Sequence, residues 1–485
     1  MRLAVIAHLV GGILRIYAAA IAAPLLVAVL YREWHDARGF AVSGLVTLAL
    51  GVTARRAAPD IPRDFHRAEG LAVVSFAYLA VALLSAIPFV WAGMGPIDAV
   101  FEAMSGVTAT GASALADFER HGRSFFFWRS LTQWIGGLGV IALFVAVLPR
   151  LAIAGRELFF AEAPGPTDEK ITPHLRQTAV ALWKLYLGLS LAEVAALLAV
   201  GMGPFDAISH TFTTIGAGGF SPHPASMLGY ASPGVEWVIT VFMFLAGANF
   251  ALQYRTLLGQ RRALVGDEEF RYYSGLIVVV TAVVAFSLWR SHVPAAEAVR
   301  HAAFQVVSVL TSTGFASVDY DRWPDAARML LLALMFIGGC AGSAGGGPKV
   351  VRHLLVARYT ILELARTLHP RAVLPVKLGG RVVPDAIMRA VLVFMIFYLS
   401  VFAVCATVVA LLGADLVTAI SATAATLGNV GPGLGDVGPM SNFSHLHPLS
   451  RLTLTLAMWI GRLELITVLA LFQPEIWKSA RWRDS

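Results

Sequence analysis

Charge is scarce in this chain. Lys, Arg, Asp and Glu make up 14% of its 485 residues, where a soluble protein of this size carries about 25%. No stretch is long and polar enough for a separate soluble domain. Cysteine is nearly absent as well: Cys340 and Cys405 both lie in apolar segments, which argues against a disulfide framework. No G-x-S-x-G, H-E-x-x-H or Walker string occurs, so hydrolase and ATPase activities have no support and the chain does not read as an enzyme. The one G-x-G-x-x-G match, at 433–438, follows no strand and sits in no βαβ unit. His445 and His447 lack an evident third ligand and read as solvated loop histidines. The opening M-R-L-A-V-I-A-H-L-V has neither a strong basic region nor an A-x-A site, and reads as a retained first span.

What is present is apolar. Hydrophobic residues make up 57%, mean hydropathy is +0.71, and the long runs approach or exceed the roughly 20 residues that cross a bilayer as a helix. Ten spans are expected, near 3–31, 39–54, 69–93, 124–149, 178–201, 234–256, 270–290, 325–352, 384–413 and 449–473. The net charge of +7 is clustered. Arg55, Arg56, Arg63 and Arg67 form one group, and Arg255, Arg261, Arg262 and Arg271 a second. The third runs through Lys349, Arg352, Arg358, Arg366, Arg371, Lys377, Arg381 and Arg389. Alternation with loops poorer in Lys and Arg is the positive-inside pattern, so the excess reports topology rather than nucleic acid or an anionic substrate. It places both termini in the cytoplasm.

Four shorter apolar pieces remain, near 96–109, 204–217, 296–312 and 415–429, each between two spans. Such lengths suit re-entrant or interfacial helices. Each is followed by a glycine: Gly111, Gly219, Gly314 and Gly431. Thirteen residues upstream stand Asp98, Asp206, His301 and Thr418, each followed by alanine. The segments before the glycines read S-G-V-T-A-T-G, T-T-I-G-A-G-G, S-V-L-T-S-T-G and A-T-L-G-N-V-G, with Val107, Ile215, Leu310 and Leu427 four positions before. Four such segments in one register indicate a fourfold internal duplication.

Irregular backbone at membrane depth is tolerated only inside protein or along a water-filled cavity. Glycine lets such a chain turn with positive φ, a ring of carbonyls can replace a cation's hydration shell, and the C-terminal ends of short helices carry partial negative charge. The segments hold no carboxylate ring, which disfavours a strongly divalent-selective pore. The fold read from these features is an all-α polytopic membrane protein: ten transmembrane helices and four re-entrant pore helices, in pseudo-fourfold span–pore helix–span repeats around a central pore. Residues 1–66 form an N-terminal helix pair. The repeats follow at 67–150, 151–256, 257–356 and 357–485.

The pattern resembles the Trk/Ktr/HKT superfamily of potassium transporters over essentially the whole chain. It is most like the bacterial Trk membrane subunit, because a pair of spans precedes the first repeat. The strings that carry the resemblance are T-A-T-G-A-S at 108–113, G-G-F-S at 218–221, S-T-G-F at 312–315, L-G-N-V-G-P-G at 427–433 and G-G-C-A-G-S-A-G-G-G-P-K at 338–349. The resemblance implies K+ as the transported ion, with no organic cofactor. It makes Thr110, Gly111, Gly218, Gly219, Thr313, Gly314, Val430 and Gly431 the ion-lining residues. It further implies a homodimer in the bacterial inner membrane, bound to a TrkA-like nucleotide-sensing cytoplasmic ring, for which the basic loops 255–271 and 349–389 are docking surfaces.

The string at 338–349 would interrupt the eighth span. Glycine costs a helix up to about 1 kcal/mol relative to alanine and proline about 3. Close helix packing through small residues is one reading. The other, which the family resemblance favours, is an intramembrane gating loop of Gly338, Gly339, Gly342, Ser343, Gly345, Gly346 and Gly347, with Lys349 at the cytoplasmic mouth. Arg462, inside the last span, is either half of a structural ion pair or a positive charge below the filter. Intramembrane Lys184, Glu193 and Glu464 keep open a coupled K+/H+ or K+/Na+ symporter with a midplane site. Asn249 and Gln253 read as structural.

Overall fold

A computed structural model describes residues 2–56, 67–147, 171–369 and 374–463, with 465, 468 and 471. Arg63, Arg371, Glu464 and the repeat boundary at 150/151 lie outside the described residues. The chain is mostly helical. An N-terminal group, α1 (Leu3–Ala20), α2 (Ala22–Leu30) and α3 (Trp34–Arg56), precedes four successions in which a short helix follows a long one. These are α4 (Arg67–Trp91), α5 (Pro96–Val107) and α6 (Arg123–Val147); α7 (Ile171–Ala199), α8 (Pro204–Ile215), α9 (Pro233–Ala246) and α10 (Phe250–Leu257); α11 (Glu268–Arg290), α12 (Ala295–Leu310), α13 (Asp325–Leu334) and α14 (Val350–Leu368); and α15 (Asp385–Leu411), α16 (Leu416–Leu427) and α17 (Pro448–Arg462).

Among the described residues, six helices are long and apolar enough to cross a membrane, or seven if the bent pair α9–α10 counts as one. Part of the difference from the expected ten has local causes; the spans expected at 124–149 and 449–473 run past the described residues. The segment 234–256 is not one straight helix: α9 and α10 meet at 101°. Asn249 caps α10 by accepting from the Ala251 and Leu252 N–H groups at 2.9 and 3.1 Å. Gln253 Nε2 donates to the Leu245 and Ala248 carbonyls that the break exposes. Likewise 325–352 holds α13, which ends at Leu334, and α14, which begins only at Val350. The repeat boundary expected at 356/357 falls inside α14. One departure from an all-helical reading is the hairpin β1 (Lys377–Leu378) with β2 (Arg381–Val382). Its two-residue loop, Gly379 and Gly380, has φ of +58° and +77°, the primed-turn geometry that Gly-Gly favours.

Short helices start where the sequence instructs them to. M-G-P-I-D-A at 94–99 and M-G-P-F-D-A at 202–207 place proline at the first helical position and a carboxylate in the first turn. There proline loses no hydrogen bond, and the acid meets the positive end of the helix dipole. Each short helix is enclosed: α5 by α4, α6 and α17; α8 by α6 and α7; α12 by α9 and α11; α16 by α15 and α17. The most apolar stretch of α15 is only 22% buried, against 61% for α4, so α15 turns much of its apolar surface outward. Fully buried hydroxyls gather instead at the centre: Thr108, Thr110, Thr213, Ser308, Thr311, Thr313, Ser421 and Thr426.

The N-terminal group crosses at glycines. A methyl on Gly11 would stand 2.7 Å from the Gly51 carbonyl, whereas nothing lies within 4 Å of one on neighbouring Gly12. Gly11→Leu is expected to lower stability by about 1–3 kcal/mol through overpacking, and Gly12→Leu to leave it unchanged, as read by thermal unfolding of the detergent-solubilised protein.

Candidate functional site: four helix ends around one ring

All four short helices end by the same device. The last turn leaves carbonyls without helical partners. Thr110 N–H donates to Ser105 O at 2.8 Å, Gly218 to Thr213 at 2.8 Å, Thr313 to Ser308 at 2.9 Å and Val430 to Ala425 at 2.7 Å. The residue before each donates to the third carbonyl back, at 2.9, 3.0, 3.1 and 3.2 Å. This is the Schellman closure, which requires a left-handed residue just past the helix. Here that residue is Ala109, Ala217, Ser312 or Asn429, with φ of +48°, +54°, +58° and +53°. None is glycine. A left-handed alanine costs roughly 1–2 kcal/mol, a cost the enclosing helices must offset at Ala109 and Ala217 and in similar measure at Ser312, but less at Asn429. The glycines expected to open the turn stand two residues later, with a second positive φ of +86° at Gly111, +72° at Gly219, +81° at Gly314 and +105° at Gly431. Across 108–111, 216–219, 311–314 and 428–431, φ therefore alternates in sign.

The glycines are also where the loops meet. A methyl on Gly111 would strike the carbonyl oxygen of Gly218. One on Gly219 would strike that of Thr313, one on Gly314 that of Val430, and one on Gly431 that of Thr110. Each approach is under 3.0 Å, closer than real Cβ atoms come. The four contacts run 111 to 218, 219 to 313, 314 to 430 and 431 to 110, and close on themselves. All eight residues expected at the ion path are thus brought together, two per loop. Threonine hydroxyls bond within their own loops, Thr110 Oγ1 to Thr108 Oγ1 at 2.7 Å and Thr313 Oγ1 to Thr311 Oγ1 at 2.8 Å, and Thr110 Oγ1 also accepts from Asn429 Nδ2 of the fourth loop. Phe315 is fully buried and packs on His210, with ring centroids 5.8 Å apart, so it supports the loops from behind.

Residues 338–349 form an irregular segment between α13 and α14, pressed against the ends of two short helices. Gly346 N–H donates to Ser312 Oγ at 2.5 Å. A methyl on Gly345 would lie 2.7 Å from Thr311 O, and one on Gly346 2.7 Å from Asn429 Cβ. The flanks are tied to the α9–α10 break, through Cys340 N–H to Gly247 O at 2.9 Å and Phe250 N–H to Gly342 O at 3.1 Å. Gly338, Gly342 and Gly347 take positive φ, Gly339 packs on Ser343 Oγ, and Ser343 Oγ donates to Cys340 O. Glu269 Oε1 accepts from the Ala341 and Val351 N–H groups at 2.7 and 3.2 Å, a tether from α11 that the sequence reading missed. Lys349 is buried, and its ammonium turns back onto the Gly345 carbonyl rather than outward. Arg462 is buried too. It donates to Ala344 O at 3.1 Å and Gly136 O at 3.3 Å, joining this segment to α6 through carbonyls, and among the described residues it meets no carboxylate.

A family model for TrkH, a cation transport protein, matches residues 40–479. The chain belongs to the TrkH family of cation transport proteins. It is 37% identical over 485 residues to the Trk system potassium uptake protein TrkH of Escherichia coli K12, covering 99% of this chain and 100% of that one. It is 33% identical over 484 residues to the Trk system potassium uptake protein TrkG of the same organism, covering 98% and 99%. The crystal structure of the potassium transporter TrkH from Vibrio parahaemolyticus superposes with a TM-score of 0.91 at 35% identity, covering 98% of this chain and 100% of that one. The chain is accordingly a multi-pass bacterial membrane protein and not an enzyme.

Within this TrkH-family chain, other intramembrane candidates separate. Glu193 is fully buried beside Thr214, with no hydrogen bond of ordinary geometry to its carboxylate among the described residues, while Lys184 is exposed. Of the basic surface, Arg358 pairs with Glu268 at 2.8 Å and Arg366 with Glu363 at 2.5 Å. The left-handed positions were invisible because only Asn429 is a residue type that favours that conformation. Ala217→Val should destabilise the protein by about 1–3 kcal/mol, since a β-branched residue there is strained. Ala217→Gly should be tolerated. Thermal unfolding in detergent separates the two.

Proposed function

We propose that this chain takes up K+ across the bacterial cytoplasmic membrane through a channel-like pore, and that the four-loop ring is its selectivity filter. The observation that carries this reading is the closed circuit of carbonyls from Thr110, Gly218, Thr313 and Val430, each against a neighbour's glycine. Successive carbonyls in an extended chain point to opposite sides; alternating φ turns them to one side, where they can replace a hydration shell. Four helix C-termini, each worth about half a negative charge, favour a cation, and the membrane potential supplies about 2.3 kcal/mol per charge per 100 mV. In this reading ten spans and four pore helices surround the ring, and both termini are cytoplasmic. In cells lacking their own K+ systems, Gly219→Ser should cut Rb+ uptake by about tenfold or more, which needs only about 1.4 kcal/mol of lost ion binding. Uptake equal to wild type overturns the filter.

The 338–349 segment is the gate in this reading. It is pressed against the ends of the third and fourth short helices, and Arg462 bonds its Ala344 carbonyl. Two copies of the chain would bind a TrkA-like nucleotide-sensing ring at the basic inner surface, which includes α14. Deleting residues 338–347 should raise basal flux in proteoliposomes; unchanged or lower flux removes the gate assignment.

A coupled symporter is favoured by one observation, the fully buried carboxyl of Glu193, which has no charged partner among the described residues. The reversal potential decides. A pore gives the K+ Nernst slope with no displacement when a proton or Na+ gradient is imposed, and a displacement establishes coupling.

A further inference from the structure

The filter reading leaves unexplained a buried polar face on α6. Arg129 and Gln133, one helical turn apart, are 2% and 0% exposed. Arg129 donates through Nε to Glu102 Oε1 of α5 at 2.8 Å, through Nη1 to the Ser221 carbonyl at 3.1 Å and through Nη2 to Ser113 Oγ at 3.1 Å. Glu102 in turn accepts from Ser113 Oγ at 3.1 Å and from the Ala114 N–H at 2.9 Å. The guanidinium also lies 4.1 Å from the Phe220 ring centroid. One ion pair thus touches the chain two and three residues past Gly111, and one and two residues past Gly219. A buried pair is tolerable only when its remaining donors and acceptors are satisfied, and loop backbone does much of the satisfying here.

Gln133 grips the second loop directly. Its Nε2 donates to the Gly218 carbonyl at 2.8 Å, and its Oε1 accepts from the Phe220 N–H at 3.0 Å. The two bonds straddle Gly219. A carbonyl oxygen has two lone pairs, so this bond fixes the direction of the Gly218 carbonyl while leaving capacity for an ion. Among the described residues, the ring carbonyls of Thr110, Thr313 and Val430 receive no such side-chain bond. The second loop has a further tie, His210 to Ser221 Oγ at 3.1 Å. The third and fourth loops are held by different groups: Gln305 accepts from the Ser317 N–H at 2.8 Å and donates to Phe315 O at 3.2 Å, Ser308 Oγ donates to Phe315 O at 2.7 Å, and Ser421 Oγ donates to Leu434 O at 3.0 Å. Nine residues before the four glycines stand Glu102, His210, Gln305 and Ala422, so only the first quadrant carries a charge there.

We propose that Glu102, Arg129 and Gln133 form a positioning device that sets the carbonyl geometry of the first and second quadrants and thereby the discrimination between K+ and Na+. This rests on the ring being the filter. The roles are divided. Gln133 aims the Gly218 carbonyl, and the Glu102–Arg129 pair holds the outgoing chains of both loops at a fixed separation. A carbonyl free to tilt inward could follow a smaller ion, so loosening the brace favours Na+.

The test is the K+:Na+ permeability ratio from bi-ionic reversal potentials of the full-length protein in proteoliposomes. Gln133→Glu keeps the shape and the acceptor for Phe220 but removes the donor to Gly218. Glu102→Gln keeps the volume but removes the ionic partner of Arg129. Gly111→Ser serves as the filter control. Both brace variants should lower the ratio by about fivefold, the scale of one ordinary buried hydrogen bond, whatever fall in unfolding temperature the altered buried charge brings with it. If Gly111→Ser lowers the ratio and both brace variants leave it at wild type, the positioning device is overturned and the filter reading stands. If all three leave it at wild type, the filter reading falls and the device with it. Should Gln133→Glu fail to accumulate, Glu102→Gln alone decides by the same criterion. A merely structural brace would lower the unfolding temperature and leave the ratio untouched.

Discussion

Four backbone carbonyls approach four glycines more closely than any side chain would permit, and the rest of the structure serves that approach. Closing the circuit needs the loops to come together without a Cβ between them, which only glycine allows at Gly111, Gly219, Gly314 and Gly431. It also needs each chain to reverse just past its helix, which costs a left-handed turn at Ala109, Ala217, Ser312 and Asn429. Such conformations persist only where the surroundings over-determine them. The short helices are therefore enclosed by long ones, while α15 turns apolar surface outward.

The same constraint reverses the usual distribution of polarity. Hydroxyls and small residues fill the centre, because loop backbone there must find hydrogen bonds from protein. Threonine hydroxyls bond each other in the first and third loops, and Gln133 and Asn429 serve the second and fourth. Asn429 Nδ2 donates to Thr110 Oγ1 at 2.8 Å, linking the fourth loop to the first. The four quadrants share one backbone path but not one set of side chains, so the ring is fourfold in geometry and asymmetric in chemistry.

Two breaks in long helices are coupled to this centre. The bend between α9 and α10 exposes carbonyls, and the 338–349 segment satisfies Gly247 O and Ala246 O through Cys340 and Ala344. Each irregularity thus supplies the other's missing partners. Glu269 holds the near end of the segment to α11, and Arg462 holds its middle to α6. A segment fixed at its flanks and resting on two helix ends can move only by exchanging defined hydrogen bonds.

The amino-acid sequence alone was enough for the membrane class, the fourfold register and the glycines. Each follows from local rules: apolar length, positive-charge clusters, and a residue with no side chain after each short helix. It also located the 338–349 break, because Gly and Pro resist helix. It could not tell which carbonyl meets which glycine, since that depends on segments up to about 320 residues apart, as in Thr110 and Gly431. Nor could it reveal that Arg462 bonds carbonyls, that Lys349 folds inward, or that Glu102, Arg129 and Gln133 serve two loops at once. A buried polar residue states only that a partner is needed. Which partner it finds is decided by packing, when helices distant in the chain are brought around one axis.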